Sequence, residues 1–159
     1  MNKTKLILLF ILIFLNFLSF AQLNIGGLPK SFTEENKSVI FSEVKFVKLP
    51  NVDLEILKKE DIVNDIKGEA PWRFGKLFQT DISPENSGTW EILPNGDKIW
   101  RVGIESENAL SINMVFDKYF LPENAVLYIY SVDKKEIIGG FTSDNNQSDS
   151  LFATGIITS

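Results

Sequence analysis

The chain has 159 residues, of which 44% are hydrophobic, 12% aromatic and 23% charged, a balance that argues for a packed globular fold and against disorder. Its formal charge of −5 argues against a nucleic-acid role, because contact with phosphates needs a basic surface that releases counterions. Cysteine and histidine are both absent, which excludes thiol nucleophiles, thiolate metal sites, a Ser-His-Asp triad and any histidine-bearing metal centre drawn from this chain alone.

The first 21 residues read as a signal peptide. MNKTK is a short basic start, residues 6–15 are an unbroken apolar run, and Ser19-Phe20-Ala21 offers small residues where a signal peptidase inspects the chain. Cleavage is expected between Ala21 and Gln22. The alternative is a retained membrane anchor, but Asn16 interrupts the run and a small-residue site follows it. Cleavage removes Lys3 and Lys5 and no acid, which moves the formal charge from −5 to −7. No later apolar run is long enough to span a bilayer. The mature chain therefore reads as a secreted, extracellular protein that transits the periplasm and has no membrane contact after signal removal. At about 140 residues it can bury enough surface to fold without disulfides.

Residues 22–70 read as an extended leader segment. Gly26-Gly27, Pro29 and the polar Thr33-Glu34-Glu35-Asn36 cluster predict a loosely ordered start. Residues 40–47 alternate as a strand with Ile40, Ser42, Val44 and Phe46 on one face, ended by Pro50 and Asn51. In residues 52–66, Leu54, Leu57, Ile62 and Ile66 fall near helical spacing, and a short helix is expected over 59–65. A glycine, a proline and a change of composition at Gly68 to Trp72 set the main internal boundary.

Residues 71–159 read as all-β. Runs at 73–80, 89–93, 98–104, 109–116, 125–132, 136–142 and 151–158 are separated by SPENSG, PNGD, ESEN, LPEN, VDKK and SDNNQSDS. Short runs punctuated by turn clusters at about 8–15-residue spacing predict a sandwich or barrel rather than βαβ units. Alternation places Leu110, Ile112, Met114 and Phe116 on one face, and Trp100, Val102 and Ile104 on another. AVLYIYSV is apolar or aromatic on both faces and reads as a central strand, with the Tyr128 and Tyr130 hydroxyls at its rim. The stretch SGTWEILPNGDKIWRVGIES, residues 87–106, is the strongest local signal: Asn95-Gly96 between apolar runs predicts a tight hairpin turn at positive φ. Trp90 and Trp100 then pair across the strands and fill a core.

Candidate chemistry is sparse. Glu34-Glu35, Glu60-Asp61, Glu105 with Glu107, and Asp144 with Asp149 supply carboxylate pairs, but none lies in the apolar, cleft-like context that glycoside hydrolysis needs. Residues 144–149, DNNQSD, carry oxygen ligands at short spacing but lack the glycine and the bidentate glutamate of an EF-hand loop. A polar hairpin loop is the better reading. Lys134-Lys135 reads as a solvated turn, with a cleavage site for a basic-specific protease as the sharper alternative. Neither a cofactor nor a metal is expected.

Seven phrases, GGLPKSF, KEDI, RFGK, SGTWEILPNGDKIWRVGIES, LPENAVLYIYS, IIGGFTSDNN and FATGII, resemble in order and spacing the N-terminal segment of Bacteroidetes secreted trypsin-like serine peptidases of the lysyl-endopeptidase-like group. The hairpin residues Trp90, Asn95, Gly96, Trp100 and Arg101 lie in its most specific part. The resemblance implies a non-catalytic pro-region that assists folding of the peptidase or keeps it latent, with the peptidase domain of the same precursor as partner, in cis or in trans. No catalytic residue of that group has a counterpart here. Neither a peptidase domain nor a type IX secretion sorting domain is present in the sequence, so a truncated or partial product of such a precursor is implied. Asp149-Ser150-Leu151 also resembles the three-residue site at which such bacteria attach O-glycans. The expected architecture is mainly β: a jelly-roll-like antiparallel β-sandwich behind an extended leader arm, its closing strands incomplete near Ser159. A secreted binding module for glycans or a surface protein is the alternative function.

Overall fold

The computed structural model describes residues 24–33, 43–68, 71 and 73–158. Ala21 and Gln22, the start of the strand expected over 40–47, and Trp72 lie outside the described residues. The described chain is mostly short strands with one helix: β1 (Phe46–Lys48), α1 (Leu54–Lys67), β2 (Thr89–Ile92), β3 (Lys98–Arg101), β4 (Gly103–Glu105), β5 (Ser111–Ile112), β6 (Val115–Phe116), β7 (Leu127–Tyr130), β8 (Ile137–Phe141), β9 (Phe152–Ala153) and β10 (Ile157–Thr158). The sheets are two-stranded and none closes. By internal contacts the chain divides into one unit of residues 1–28 and 113–157 and another of residues 29–112 and 158–159.

In the second unit, β1 runs parallel to β4, with Phe46 opposite Gly103 and Lys48 opposite Glu105. The antiparallel pairing was expected of residues 71–159; this parallel pair joins a strand of the 22–70 leader to that region. The Phe46 ring lies where a side chain on Gly103 would stand, 2.5 Å from a Cβ built there. Only a residue without one lets the ring lie flat over the strand. Helix α1 is a full 14 residues, longer than the spacing of its apolar residues predicts and set in the stretch expected to be extended. Its ends explain it. The Asp53 carboxylate accepts from the amides of Glu55 and Ile56 at 3.0 and 3.1 Å, and Gly68 ends the helix at φ 64° with its N–H on the Asn64 carbonyl. No residue of α1 is buried, and Ile62 and Ile66 are exposed. The run at 73–80 was expected to be a strand but is irregular. Phe74 and Leu77 face solvent in it, and no described strand pairs with its backbone.

The first unit is organised by rings. Phe116 and Phe152 are register partners on antiparallel β6 and β9. Tyr119 stacks on Phe152 at 4.3 Å, while Phe141 meets Phe152 edge-on at 4.8 Å and Phe116 meets Tyr119 edge-on at 5.8 Å. These are the offset and edge-to-face geometries that ring quadrupoles favour. Tyr119 is buried, and burial raises its phenol above the ordinary value. The alternation expected over 110–116 appears from Ile112 onward, but Leu110 is exposed. Among the described strands β7 pairs with β8 alone, in an antiparallel hairpin with a bulge at Leu127/Tyr128, and does not occupy the central place expected of AVLYIYSV.

Candidate functional site

The hairpin β2–β3 is built on a direct register: Thr89 opposite Arg101, Trp90 opposite Trp100, Glu91 opposite Ile99 and Ile92 opposite Lys98. Its turn is not the two-residue turn that Asn95-Gly96 suggests. Gly96 N–H donates to the Leu93 carbonyl at 2.9 Å and Leu93 N–H to the Asp97 carbonyl at 2.8 Å. Only Gly96, at φ 88°, is left-handed; Asn95 is not. The turn is therefore a type I turn over Pro94-Asn95 followed by a glycine bulge, the usual three-residue hairpin loop. Pro94, whose ring fixes a negative φ, decides between the two. Asn95 closes the loop by accepting from Asp97 N–H at 3.0 Å and donating to its carboxylate at 2.9 Å. Lys30 bridges to the same carboxylate at 2.5 Å and, with Asn95, holds it below the ordinary aspartate value.

The two faces of this hairpin differ. On one, Glu91 and Arg101 form a half-buried ion pair at 2.5 Å. On the other, Trp90 and Trp100 stand side by side with Ile92 and Lys98. Both indoles are committed to one loop: Trp90 Nε1 donates to the Pro84 carbonyl at 2.9 Å and Trp100 Nε1 to the Ser87 carbonyl at 2.7 Å. The loop is folded for this by Ser83, whose carbonyl receives the amides of Asn86 and Ser87. At Gly88 (φ 75°) an added Cβ would come within 2.7 Å of the Trp100 indole nitrogen, so glycine lets the ring cross the chain. The tryptophans do not fill a core as expected. Trp90 is 55% exposed and Ile92 69%, because the loop covers the indole edges and leaves ring face and aliphatic surface open.

A second concavity belongs to the other unit. The arm at 24–28 lies along β8: Ile25 N–H donates to the Gly140 carbonyl at 2.9 Å, and the Tyr128 hydroxyl donates to the Gly26 carbonyl at 2.8 Å. A cleft of about 430 Å³ opens between Asn24, Gly26, Gly27 and Ile137, Ile138, Gly139, Phe141, Gly155. Its lining combines backbone and aliphatic carbon with the Phe141 ring and the Asn24 amide, and none of these residues is titratable.

Glu34-Glu35 lie outside the described residues; the candidates in α1, the DNNQSD loop and the β7–β8 turn are bound to the chain itself. Glu60 and Asp61 are occupied by Arg73, at 2.9 Å from Nη2 and 3.0 Å from Nε, and the Glu60 bond leads the causes that raise the Arg73 guanidinium. In the DNNQSD loop, Asn145 accepts from Thr142 N–H at 2.9 Å, and Asn146 grips both the amide and the carbonyl of Leu121 at 2.9 Å. Those oxygens serve the chain's own backbone. At the β7–β8 turn, Asp133 accepts from the Ser131 hydroxyl, Lys135 N–H and the Lys135 ammonium. Among the described residues no group of three or more acidic side chains is gathered as a metal site, and no helix is long and apolar enough to cross a membrane. No protein-family model matches the chain, and no solved structure matches it.

Proposed function

We propose that the chain is the non-catalytic pro-region of a secreted trypsin-like, lysyl-endopeptidase-like serine endopeptidase, and that it assists folding of that peptidase or keeps it latent by covering part of its surface. In this reading the short ladders belong to a jelly-roll-like antiparallel sandwich, and the chain reaches the extracellular space after signal cleavage following Ala21. The observation that carries the proposal is the open face of Trp90 and Ile92, backed by the half-buried Trp100. A rigid aromatic and an aliphatic group exposed side by side are the kind of anchor around which protein interfaces concentrate their affinity. The in-order phrases of the sequence supply the class of partner.

A pull-down with a peptidase domain of this group, supplied in trans, tests the proposal. The mature chain is expected to bind and to show no hydrolysis of Lys- or Arg-containing substrates by itself. The double variant Trp90→Ala/Ile92→Ala is expected to weaken the complex by about tenfold or more, the scale of hot-spot truncation. Absence of association between two folded partners would sink it. The exposed Trp90 ring also favours a second reading, a glycan-binding module. Both indole N–H groups already donate to the chain, so of the four side chains on this face Lys98 supplies the remaining polar group, fewer than the set of placed contacts a sugar requires. Protection of Trp90 from acrylamide by an oligosaccharide, but not by the peptidase, would reverse that preference.

A further inference from the structure

Residues 74–80, FGKLFQT, are unlike the rest of the described chain. They form no strand and no helix, and no hydrogen bond or ion pair joins them to another described residue. The segment is strung between two anchors. Upstream, Arg73 is held by Glu60 and Asp61 of α1; downstream, the Asp81 carbonyl accepts from the Asn86 side chain at 3.1 Å. Lys76 is exposed at its centre, between Phe74 at 84% and Leu77 at 73% exposure.

An endopeptidase must take several consecutive residues into its cleft as an extended strand, so local unfolding sets the rate at which a folded chain is cut. The other described basic residues carry that cost. The Lys30 carbonyl accepts from Thr33 N–H at 3.3 Å, the Lys45 carbonyl from Gly103 N–H at 2.9 Å, and the amide that follows Lys118, that of Tyr119, donates to the Ser150 carbonyl at 2.8 Å. Lys58, Lys59 and Lys67 lie in α1, and Lys48, Lys98 and Arg101 in strands. Lys134 and Lys135, the dibasic pair, sit in a turn closed by Ser131 N–H on the Glu136 carbonyl at 3.0 Å, Lys134 N–H on the Ser131 carbonyl at 2.9 Å and the three bonds to Asp133. The segment 74–80 has no backbone hydrogen bond to another described residue to break.

We propose that the Lys76–Leu77 peptide bond is a processing site for a lysine-directed serine endopeptidase. The exposed lysine supplies the cation for an acidic specificity pocket, and Phe74 and Leu77 offer apolar side chains on either side of it. The enzyme's serine attacks the Lys76 carbonyl carbon and the Leu77 amine leaves with a proton. One water then hydrolyses the acyl-enzyme, leaving a carboxylate on Lys76 and a free amine on Leu77. The cut severs α1 from the hairpin that carries Trp90. The identity of the natural enzyme rests on the pro-region reading; the susceptibility of the bond does not.

Limited digestion of the native chain with a lysine-specific endopeptidase, followed by intact mass and N-terminal sequencing, tests the site. The first new N-terminus is expected at Leu77. Lys76→Gln, an exposed change outside every element, is expected to slow loss of intact chain by about tenfold, and Lys135→Gln to leave that rate unchanged. In denaturing urea the preference for Lys76 is expected to vanish. A first cut after any other lysine, an unaltered rate in Lys76→Gln, or a preference that survives urea would each overturn the proposal. A cut at Lys76 without association in the pull-down would retain the site and remove the pro-region reading; association without the cut would do the reverse.

Discussion

The two long hairpins solve the same problem in opposite ways. In β7–β8 every residue of β7 is at least half-buried, Ser131 and Gly140 are buried, and a bulge bends the ladder. In β2–β3 the register is unbroken and one face is left to solvent. The difference lies in what each hairpin is given to pack against. The arm at 24–28 comes onto β8 because glycine faces glycine: a Cβ on Gly140 would stand 2.5 Å from Gly26 N and 2.7 Å from its carbonyl oxygen. Among the described residues the Trp90 face receives only the 83–88 loop, which engages the indole nitrogens and stops there. Burial makes the first hairpin a structural element, while exposure makes the second a surface for another molecule.

The largest effect is therefore expected in the covered hairpin. Gly140→Ala must accept φ 75° and a collision with backbone that cannot swing away. It should cost about 3 kcal/mol, read as a lower urea midpoint with unchanged slope. A loss below about 1 kcal/mol would show that the arm is not held by this contact. Trp90→Ala, in the open hairpin, gives up one hydrogen bond and a cross-strand pair on a half-exposed ring. It should cost about 1 kcal/mol while removing most of the partner affinity. If the order of the two stabilities is reversed, the assignment of structural and recognition roles is reversed with it.

Much of this contrast was legible in the sequence. The hairpin at 87–106, the register that sets Trp90 against Trp100, and the punctuation of the later strands follow from alternation and turn residues. What alternation does not encode is coverage: nothing in TWEI or KIWR says whether a second layer lies over the tryptophans. Asn95-Gly96 suggests a two-residue turn, but a proline one position earlier selects the type I turn that forms. The apolar residues of α1 form no clean stripe and point to a shorter helix, yet Asp53 and Gly68 mark both of its ends. The irregularity of 73–80 had no local signal. RFGKLFQT is apolar enough for a strand and lacks only a partner to pair with. The pairing of Gly26 with Gly140, more than a hundred residues apart, is likewise invisible to any local pattern.

The turns of the two hairpins offer a last and finer comparison. Each is closed by an aspartate held below its ordinary value, Asp97 chiefly by Lys30 and then Asn95, Asp133 chiefly by Lys135 and then Ser131. Asp133 is bound within its own turn, whereas Lys30 reaches Asp97 across 67 positions of sequence. For a depressed carboxylate the stabilisation is complete above the unfolded value, about 3.9, and is lost as pH falls through the lower folded value. Neither turn should therefore respond between neutral pH and about pH 5, and both should loosen in acid below that. Amide exchange at Lys135 and Glu136 reports one turn, and at Gly96 and Asp97 the other. Asp133→Asn should abolish the acid response of the first pair and leave the second unchanged. Lys30→Gln should raise the pH at which the Asp97 turn loosens, without moving that of the Asp133 turn. A shift in both turns from either substitution would mean that the hairpins open together, and their treatment as separate elements would fail.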